Sequence, residues 1–565
     1  MSYDIKIVGG TIVDGTGAPG YRGDVGISGG KVVALGEAPE EGETVIDAAG
    51  RVVCPGFVDI HTHYDAQVLW DRMVTISPWH GVTTAVVGNC GFGIAPTRPD
   101  HRRLILQTLE NVEGMSLEAL EAGLGHDWGF ETFPEYLDAI ERHGMAINLG
   151  VLLGHTPLRM YVMGEDAVER AATPEEVARM RELVREGLEA GAVGFSTSKA
   201  ITHWGYHGKP VPSRLAELDE IEELSSPVGD VGGMLQVNVG PGFYLKELAP
   251  IARRTGRQIS WTAMLTGLFG PGGHRKQLDR TAALAEEGLS IVPQVACRPL
   301  NFEFQFEAPF PFEAMPIFSE LGAGSREERL RKYADPSWRQ QVRDSLIPVL
   351  VGWTDRTTIA VYPPEPALEE RNLAEVARER GVDPTDLAFD MSLNTDLKAR
   401  FRTAVLNTDE EAIGEMLHDP NTVLGLSDAG AHASQLCDAC FSTHLLSHWV
   451  RDKGVLTIEQ GVRALTSRPA EVFGITDRGR LEVGLPADVV VFDPATVAAA
   501  PIKRVYDLPG GADRLQSDAV GIDAVIVNGT VLRRNGVDQV DPHGALPGRL
   551  LRRGRASEPG RMAAE

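Results

Sequence analysis

The segment GFVDIHTHYD, residues 56–65, places His61 and His63 one residue apart at the end of an apolar run. Side chains two residues apart on a β-strand point to the same side, so both imidazoles would face the same space. Two imidazoles in that arrangement can share one zinc ion. The alternative is that His61 and His63 are ordinary polar residues that close a strand.

Two other apolar runs end in residues of matching chemistry. The run GVTTAVVGNCG ends at Cys90, and the run TVLGLSDAGAH carries Asp428 near its end. A thiolate at Cys90 can ligate zinc, and a carboxylate at Asp428 can both bind the metal and accept a proton from attacking water. Taken singly, Cys90 is also compatible with a small buried residue, and Asp428 with a helix N-cap.

These residues need a scaffold that brings strand ends together. Apolar β-type runs that end in polar residues alternate with charged helical stretches, which is typical of βα units around a parallel sheet. Eight such runs predict an α/β fold with a TIM-type (β/α)8 barrel, whose active site lies at the C-terminal ends of its strands. The runs are VVCPGFVDIHTH, GVTTAVVGNCG, MAINLGVLLGHT, GAVGFSTSKA, GGMLQVNVG, QISWTAML, LSIVPQVACRP and TVLGLSDAGAH.

The rest of the chain surrounds this barrel. Short β-rich runs with Gly/Asp turns occur at both ends, so residues 1–55 and 475–541 are predicted to form one discontinuous β-sandwich domain. The barrel then occupies 56–474, with a long insertion at about 300–420. The insertion opens with RPLNFEFQFEAPFPF, whose rings are predicted to line an acyl pocket. The Arg-, Gly- and Pro-rich residues 542–565 are predicted to be a flexible tail.

Composition excludes several classes of partner. Lys and Arg total 54 against 79 Asp and Glu, and the formal net charge of -25 disfavours nucleic acid and anionic membrane surfaces. The chain shows neither a leader pattern nor an apolar run of roughly 20 residues, so a soluble cytoplasmic protein is predicted. The five cysteines do not suggest a disulfide framework. A homo-oligomer is a possibility that the sequence leaves open.

Several segments together resemble a known family. GFVDIHTHYD, GVTTAVVGNCGFGIAP, GHTPLR, GFSTS, SDAGAH, SRPAEVFGITDRGRLEVGLPADVVVFDP and VIVNG are similar to segments of the amidohydrolase superfamily, and within it of the N-acyl-D-amino-acid deacylases, or D-aminoacylases. The resemblance covers nearly the whole chain before the tail. It implies a barrel with a small β-sandwich, a centre of one or two zinc ions or another divalent metal, and hydrolysis of an amide.

The resemblance also implies roles for individual residues. His61 and His63 match the first-strand metal ligands, and Cys90 matches the cysteine ligand of the family. Asp428 matches the last-strand aspartate that serves as general base. His155, in GHTPLR, matches a motif residue near the pocket and is expected to contact substrate.

One part of the family pattern is missing. The family binds metal through two further histidines on later strands, whereas the fifth run here offers Gln236 and Asn238, and the sixth offers Ser260, Trp261 and Thr262. A standard binuclear centre is therefore in doubt, although three ligands and an aspartate still suffice for one ion.

Other residues offer weaker alternatives as ligands. The candidates are His203, His207 and His274, each of which fits a loop residue better, and Lys199, which resembles the metal-bridging lysine of other amidohydrolases but also fits a solvated lysine. CDACFSTHLLSH superficially resembles a zinc site, but its spacing suits one packed helix face.

The predicted function is metal-dependent hydrolysis of a carbon–nitrogen amide bond, most simply of an N-acyl (D-)amino acid by a metal-activated water. Arg298 precedes the Phe-rich segment and is a candidate to bind the substrate carboxylate, with a surface salt bridge as the alternative. Two rivals remain: a hydrolase of cyclic amides such as hydantoins or lactams, and a metal-free descendant that binds a ligand without cleaving it.

Overall fold

A parallel sheet of eight strands lies at the centre of the protein. The computed structural model describes residues 2–313, 315–322 and 325–556, except for the side chains of 319, 320 and 322. All eight predicted apolar runs contribute one strand each, and neighbours in the sheet follow the order of the chain. The strands are β1 (Phe57–Asp59), β2 (Val82–Val87), β3 (Asn148–Gly154), β4 (Gly194–Ser198), β5 (Met234–Asn238), β6 (Ile259–Met264), β7 (Ile291–Val295) and β8 (Val423–Leu424).

Backbone contacts just beyond β1 and β8 join the two ends of this sheet. The amide of His63 donates to the carbonyl of Ala429 at 2.7 Å, and the amide of Asp428 donates to the carbonyl of His61 at 3.1 Å. Thr62 and Ala429 form a parallel bridge between them. The eight strands therefore close as the predicted TIM-type barrel, and this closure brings the first and last strand ends together.

Helices connect consecutive strands around the barrel. The helix Pro174–Ala190 shows why they form where they do: Thr173 and Glu176 make a reciprocal capping box, and Gly191 follows the last turn. Within the described residues, no helix combines the length and apolar character needed to cross a membrane. The other helices outside the insertion are Arg102–Glu113, Leu117–Leu124, Phe133–His143, His155–Met163, Leu218–Val231, Leu245–Thr255, Gly273–Glu286, Glu410–His418, Phe441–His444, Ile458–Leu465 and Ser467–Val472, and a π-helix spans Leu445–Asp452.

Strands from both ends of the chain form a second, nine-stranded sheet. Strand Val52–Pro55 lies at its middle, between Tyr3–Ile12 on one side and Val489–Phe492 on the other. Its inward residues form a core of their own that includes Ile7 and Val491. The remaining strands are Tyr21–Ser28, Lys31–Gly36, Gly42–Asp47, Ile522–Val527, Thr530–Arg534 and Val537–Asp538.

The segment between β7 and β8 is a compact insertion with its own core. Strand Arg400–Leu406 pairs antiparallel with Leu300–Phe304 and with Thr357–Val361. The prediction that its Phe-rich opening lines the substrate pocket is wrong for Phe304 and Phe306, because both rings are buried in the core of the insertion. The insertion helices are Pro316–Gly322, Arg326–Ala334, Pro336–Asp344, Leu373–Arg380 and Pro384–Asn394.

Most of the predicted flexible tail is packed against the barrel. The amide of Leu149 donates to the carbonyl of Arg549 at 3.0 Å, and Leu551 is fully buried. Arg552 donates to the carbonyl of Ala190 at 2.7 Å. Residues 542–556 therefore form part of the ordered structure, because their apolar and arginine side chains find partners that composition alone does not reveal; residues 557–565 lie outside the described ranges.

Candidate metal centre and substrate cavity

Four side chains from three strand ends converge at the mouth of the barrel. The ligand atoms of His61, His63 and Cys90 all lie within 4.8 Å of one another. His61 Nε2 lies 3.2 Å from Cys90 Sγ and 3.2 Å from Asp428 Oδ1. His63 Nε2 lies 3.9 Å from the same sulfur and 3.7 Å from the same carboxylate oxygen. Ligands of a tetrahedral zinc lie roughly 3.3–3.6 Å apart, so this donor set fits one ion.

The other ring nitrogens hold both imidazoles in one orientation. His61 Nδ1 lies 2.6 Å from Gln294 Oε1, and His63 Nδ1 lies 3.1 Å from Glu113 Oε1. The Gln294 oxygen is an acceptor, so this hydrogen bond places the proton of His61 on Nδ1, and the nearby Glu113 carboxylate favours the same tautomer in His63. The lone pair of each Nε2 then points to the shared centre, which is the usual arrangement for histidines that ligate a metal.

Two of the four donors lie on strained backbone. Cys90 has φ 60° and Asp428 has φ 46°, both in the left-handed region that non-glycine residues rarely adopt. Each such residue costs about 1–3 kcal/mol and persists where the surrounding structure fixes it. Gly88 permits the turn before Cys90, because a Cβ at Gly88 would come within 2.1 Å of the Leu152 carbonyl oxygen. This strain directs the thiol and the carboxylate toward the two imidazoles.

The electrostatics of the cluster favour charge separation between its members. Burial opposes ionisation of Asp428, but the hydrogen bond with His63 and the charge of His61 hold the pKa of this carboxyl well below its usual range. Burial also opposes charge on Cys90, yet His61 and His63 lower the pKa of the thiol. Against the effect of burial, Cys90 and Asp428 raise the pKa of His61, and Glu113, Asp428 and Cys90 raise the pKa of His63. A divalent cation satisfies the thiolate and the carboxylate together, because it replaces the imidazole protons as their counter-charge.

Strands β5, β6 and β7 supply amides and a hydroxyl instead of further ligands. Gln236 Oε1 accepts from the Cys90 amide at 2.7 Å, and its Nε2 donates to Asn238 Oδ1 at 3.1 Å. Gln294 Nε2 donates to Ser260 Oγ at 3.0 Å. Gln236, Ser260 and Gln294 are fully buried. The positions that lack histidines therefore support the loop of Cys90 and the ring of His61.

A cavity of about 470 Å³ opens beside the four donors. Its lining combines polar residues, among them His203, His432 and Arg298, with apolar residues that we call the apolar wall. A mostly apolar cavity with a few convergent polar groups is typical of a small-molecule site. The apolar wall includes Val239, Pro241, Leu265, Phe269, Leu300 and Leu426.

Arg298 lies in this cavity, as its predicted role requires. Its Nε donates to Asp438 Oδ1 at 2.7 Å, and both side chains are largely buried. Neither terminal nitrogen of the guanidinium has a hydrogen-bond partner within residues 2–313, 315–322 and 325–556. Asp438 thus orients the guanidinium and leaves its two terminal nitrogens free to bind an anion.

His155 and Lys199 do not reach the cavity. His155 is fully buried, with Nδ1 at 2.8 Å from Thr197 Oγ1 and Nε2 at 2.9 Å from Glu220 Oε1. The predicted substrate contact of His155 is therefore wrong, because both ring nitrogens already have protein partners. Lys199 Nζ donates to the carbonyls of Arg214 and Ala216 and is no metal bridge.

The alternative histidine ligands also lie apart from the cluster. His274 Nε2 lies 2.8 Å from Glu415 Oε2, and His207 is exposed. His203 Nδ1 lies 2.8 Å from Ser198 Oγ, and its ring lines the cavity. Within the described residues, Cys437 and Cys440 join no group of potential metal ligands.

Sequence reasoning missed Glu113 and Gln294, which orient the two imidazoles. Glu113 ends the helix Arg102–Glu113, and nothing in the sequence connects that helix end to His63. Gln294 carried a usable signal, because a glutamine inside the apolar run LSIVPQVACRP must be buried and hydrogen-bonded.

Comparisons with known proteins agree with this geometry. The chain is 30% identical over 530 residues to a D-aminoacylase of Alcaligenes xylosoxydans xylosoxydans, covering 93% of this chain and 94% of the relative. A solved D-aminoacylase structure, studied for the role of its binuclear metal centre, superposes with a TM-score of 0.67 at 26% identity, covering 98% of this chain and 100% of the other.

An N-acyl-D-glutamate deacylase from Bordetella bronchiseptica gives a similar result. That structure contains zinc and a phosphonate mimic of the tetrahedral intermediate, and it superposes with a TM-score of 0.65 at 27% identity, covering 98% of this chain and 100% of the other. The amidohydrolase family also matches residues 44–287 and 352–533 directly, which leaves out part of the insertion. The barrel, the converging donors and these matches together show that the chain belongs to the amidohydrolase family.

Proposed function

We propose that the protein is a zinc-dependent hydrolase that removes the acyl group from an N-acyl-D-amino acid. The observation that carries this proposal is the convergence of His61, His63, Cys90 and Asp428 beside a cavity that contains Arg298. A metal-ligating set next to a carboxylate-binding cation suits a substrate that has both an amide and a free carboxylate. The deacylase relatives support the same substrate class.

The donor set fits zinc. Two imidazole nitrogens, a thiolate and a carboxylate oxygen are ligands that zinc accepts, and His61 and His63 would hold it together with Cys90. Bound there, zinc would supply Lewis-acid polarisation and make water a competent nucleophile near neutral pH.

The chain's own residues supply the proton transfers. Asp428 is 22% exposed at its side chain and lines the cavity, so its carboxylate is accessible to a water molecule as well as to the imidazoles. The low pKa of Asp428 keeps it ionised, as a general base requires. Asp428 accepts a proton from the attacking water and then donates that proton to the departing amine nitrogen. The products are a carboxylic acid and a free amino acid.

Arg298 and the apolar wall bind the two ends of the substrate and orient it in the cavity. The terminal nitrogens of the guanidinium match the two oxygens of a carboxylate, and Asp438 fixes their direction. The apolar wall accommodates the acyl chain or an apolar side chain of the amino acid.

Two rival functions predict different behaviour. A cyclic-amide hydrolase would use the same donors, but a ring such as hydantoin has no free carboxylate for Arg298. A metal-free binding protein would have no use for four donors that converge on one point from three strand ends.

The test is an activity screen on metal-depleted and zinc-restored enzyme. We expect zinc to restore cleavage of N-acyl-D-amino acids, with the N-acyl-L enantiomers and hydantoins cleaved far more slowly. We expect Asp428→Asn to abolish cleavage, while Asp279→Asn, on the exposed face of the helix Gly273–Glu286, retains it. Zinc-restored enzyme that opens hydantoins and ignores N-acyl-D-amino acids would establish the first rival. Enzyme that binds no metal would establish the second.

The same proposal extends to the organisation of the chain. We place 1–55 and 475–541 in one discontinuous β domain and 56–474 in the catalytic barrel, supported by the nine-stranded sheet that unites both ends. The cytoplasmic location and the homo-oligomer stay predictions.

A further inference from the structure

The residue behind this inference is His203, which lines the cavity together with His63 and Asp428. It follows β4, in a segment that the metal donors do not use. Its ring packs against Phe92 at a centroid distance of 5.0 Å, and Phe92 lies 6.5 Å from the ring of His63. Phe92 therefore borders both rings, and all three residues line the same cavity.

The backbone of His203 is held firmly for a loop residue. Its amide donates to the Ala200 carbonyl at 3.2 Å, and its carbonyl accepts from Arg214 Nη1 at 3.0 Å. The amide of Val211 also donates to the same carbonyl at 3.4 Å. Such bonds reduce the cost of ordering the ring when substrate binds.

The Ser198 hydroxyl lies at hydrogen-bond distance from His203 and favours one tautomer of its ring. The buried Ser198 Oγ accepts from the Ala200 amide at 3.2 Å and lies 2.8 Å from His203 Nδ1. The serine hydroxyl has a single proton, and His203 Nδ1 is the neighbour that can accept it. When the hydroxyl donates to His203 Nδ1, the ring proton lies on Nε2. Within the described ranges, Nε2 has no hydrogen-bond partner.

A neutral imidazole is the right chemistry for this position. Burial lowers the pKa of His203 to about 4, against the opposing charge of Glu113. A neutral N–H donates to an oxygen without the repulsion that a cationic side chain would experience beside a metal ion. A carboxylate, in contrast, is better matched by the charged and bidentate Arg298.

We propose that His203 is a catalytic residue whose Nε2–H donates a hydrogen bond to the acyl oxygen of the substrate as that oxygen gains negative charge. Ser198 is the positioning residue, because its hydroxyl fixes the proton of His203 on Nε2. No proton is transferred: the N–H stays intact, and its bond to oxygen strengthens as the tetrahedral intermediate forms. This inference rests on the proposed amide hydrolysis.

The test compares variants with and without a donor at this position. His203→Leu removes the N–H, whereas His203→Gln keeps an amide N–H at a similar distance from the backbone. His207→Asn is the control, because His207 is an exposed histidine of the same loop and its φ of 55° suits asparagine. We expect His203→Leu to lower kcat about 10²–10³-fold with little change in KM, and His203→Gln to recover much of the loss. His207→Asn should match the wild type.

Two further measurements separate catalysis from structure. A phosphonate mimic of the tetrahedral intermediate should bind His203→Leu more weakly by the factor lost in kcat/KM, while the D-amino acid product binds both proteins equally. Zinc content and Tm should not change. Ser198→Ala should lower kcat less than His203→Leu, because the ring keeps its place but loses its fixed tautomer.

Each contrary result contradicts a specific part of the role proposed for His203. An increase in KM alone, matched by weaker product binding, would make His203 a contact of the substrate carboxylate. A lower zinc content or a lower Tm in the His203→Leu variant would show that His203 has a structural role. An active wild type with an equally active His203→Leu variant overturns this inference alone. A wild-type enzyme that cleaves no N-acyl-D-amino acid overturns the proposed function, and this inference with it.

Discussion

The two sides of the barrel mouth carry different chemistry on the same scaffold. The β1 and β2 side presents His61, His63 and Cys90, whose ligand atoms cluster within 4.8 Å. The β5 to β7 side presents Gln236 and Gln294, whose amides are occupied by hydrogen bonds to Cys90 and His61. One side thus offers ligands and the other fixes them. We therefore expect one ion per chain, because the amides of Gln236 and Gln294 opposite the ligands are already in use.

Removing the ligand side altogether should have the largest effect. We expect the double variant His61→Ala/His63→Ala to lose zinc completely, from about one ion per chain to none, and to lose all hydrolysis. The control is His126→Ala/His543→Ala, which removes two exposed histidines. Elemental analysis of protein purified without chelators gives the result. Two ions in the wild type would contradict the single-ion interpretation of the β5 to β7 side.

A fall in pH should have the second largest effect, by weakening the binding of zinc to His61 and His63. Because the pKa values of His61 and His63 are raised in the metal-free site, protons compete with zinc for both rings. Metal binding releases these protons, so the affinity for zinc falls as pH falls. For each proton released, apparent affinity drops up to about tenfold per pH unit. Competition titrations with a chelator between neutral and mildly acidic pH measure the slope, and a flat profile would show that binding releases no protons.

A substitution on the β5 to β7 side should have a smaller effect, which is still a loss of zinc affinity. Gln294→Leu leaves His61 Nδ1 without its acceptor, so the ring is no longer held in the ligating tautomer. We expect zinc affinity to fall about 10–100-fold with the fold retained. Gln341→Leu, on the exposed face of the helix Pro336–Asp344, is the matched control. Unchanged affinity in Gln294→Leu would show that packing alone orients His61.

The contrast between the two sides also explains what the sequence could reveal. Alternation along a strand and the closure of a barrel suffice to place His61 and His63 with Cys90 and Asp428, because those residues end three of the eight apolar runs. The left-handed backbone of Cys90 and Asp428, which turns their side chains inward, has no sequence signature of comparable strength.

Residues far apart in the chain were harder to assign. Glu113 meets His63 only because a helix end happens to lie above the barrel. His155 carries the right residue type in a family motif, yet buried partners occupy both of its nitrogens. Phe304, Phe306 and Phe312 after β7 pack into the core of the insertion, which is long enough to bury them away from the cavity. Composition and spacing do not show whether the aromatic side chains of an insertion face its own core or the cavity.

On the β5 to β7 side, Ser260→Ala should have the smallest effect on zinc affinity. Ser260 Oγ accepts from Gln294 Nε2, so the alanine variant leaves one amide proton of Gln294 without its partner but keeps Gln294 Oε1 beside His61. A hydrogen bond of this kind contributes about 1 kcal/mol, which corresponds to roughly a fivefold loss of zinc affinity through a less rigid Gln294. Combining Ser260→Ala with Gln294→Leu should add nothing further, because the serine acts on the metal site only through the glutamine. An additive double variant, measured by the same chelator competition, would mean that Ser260 supports the centre by another route.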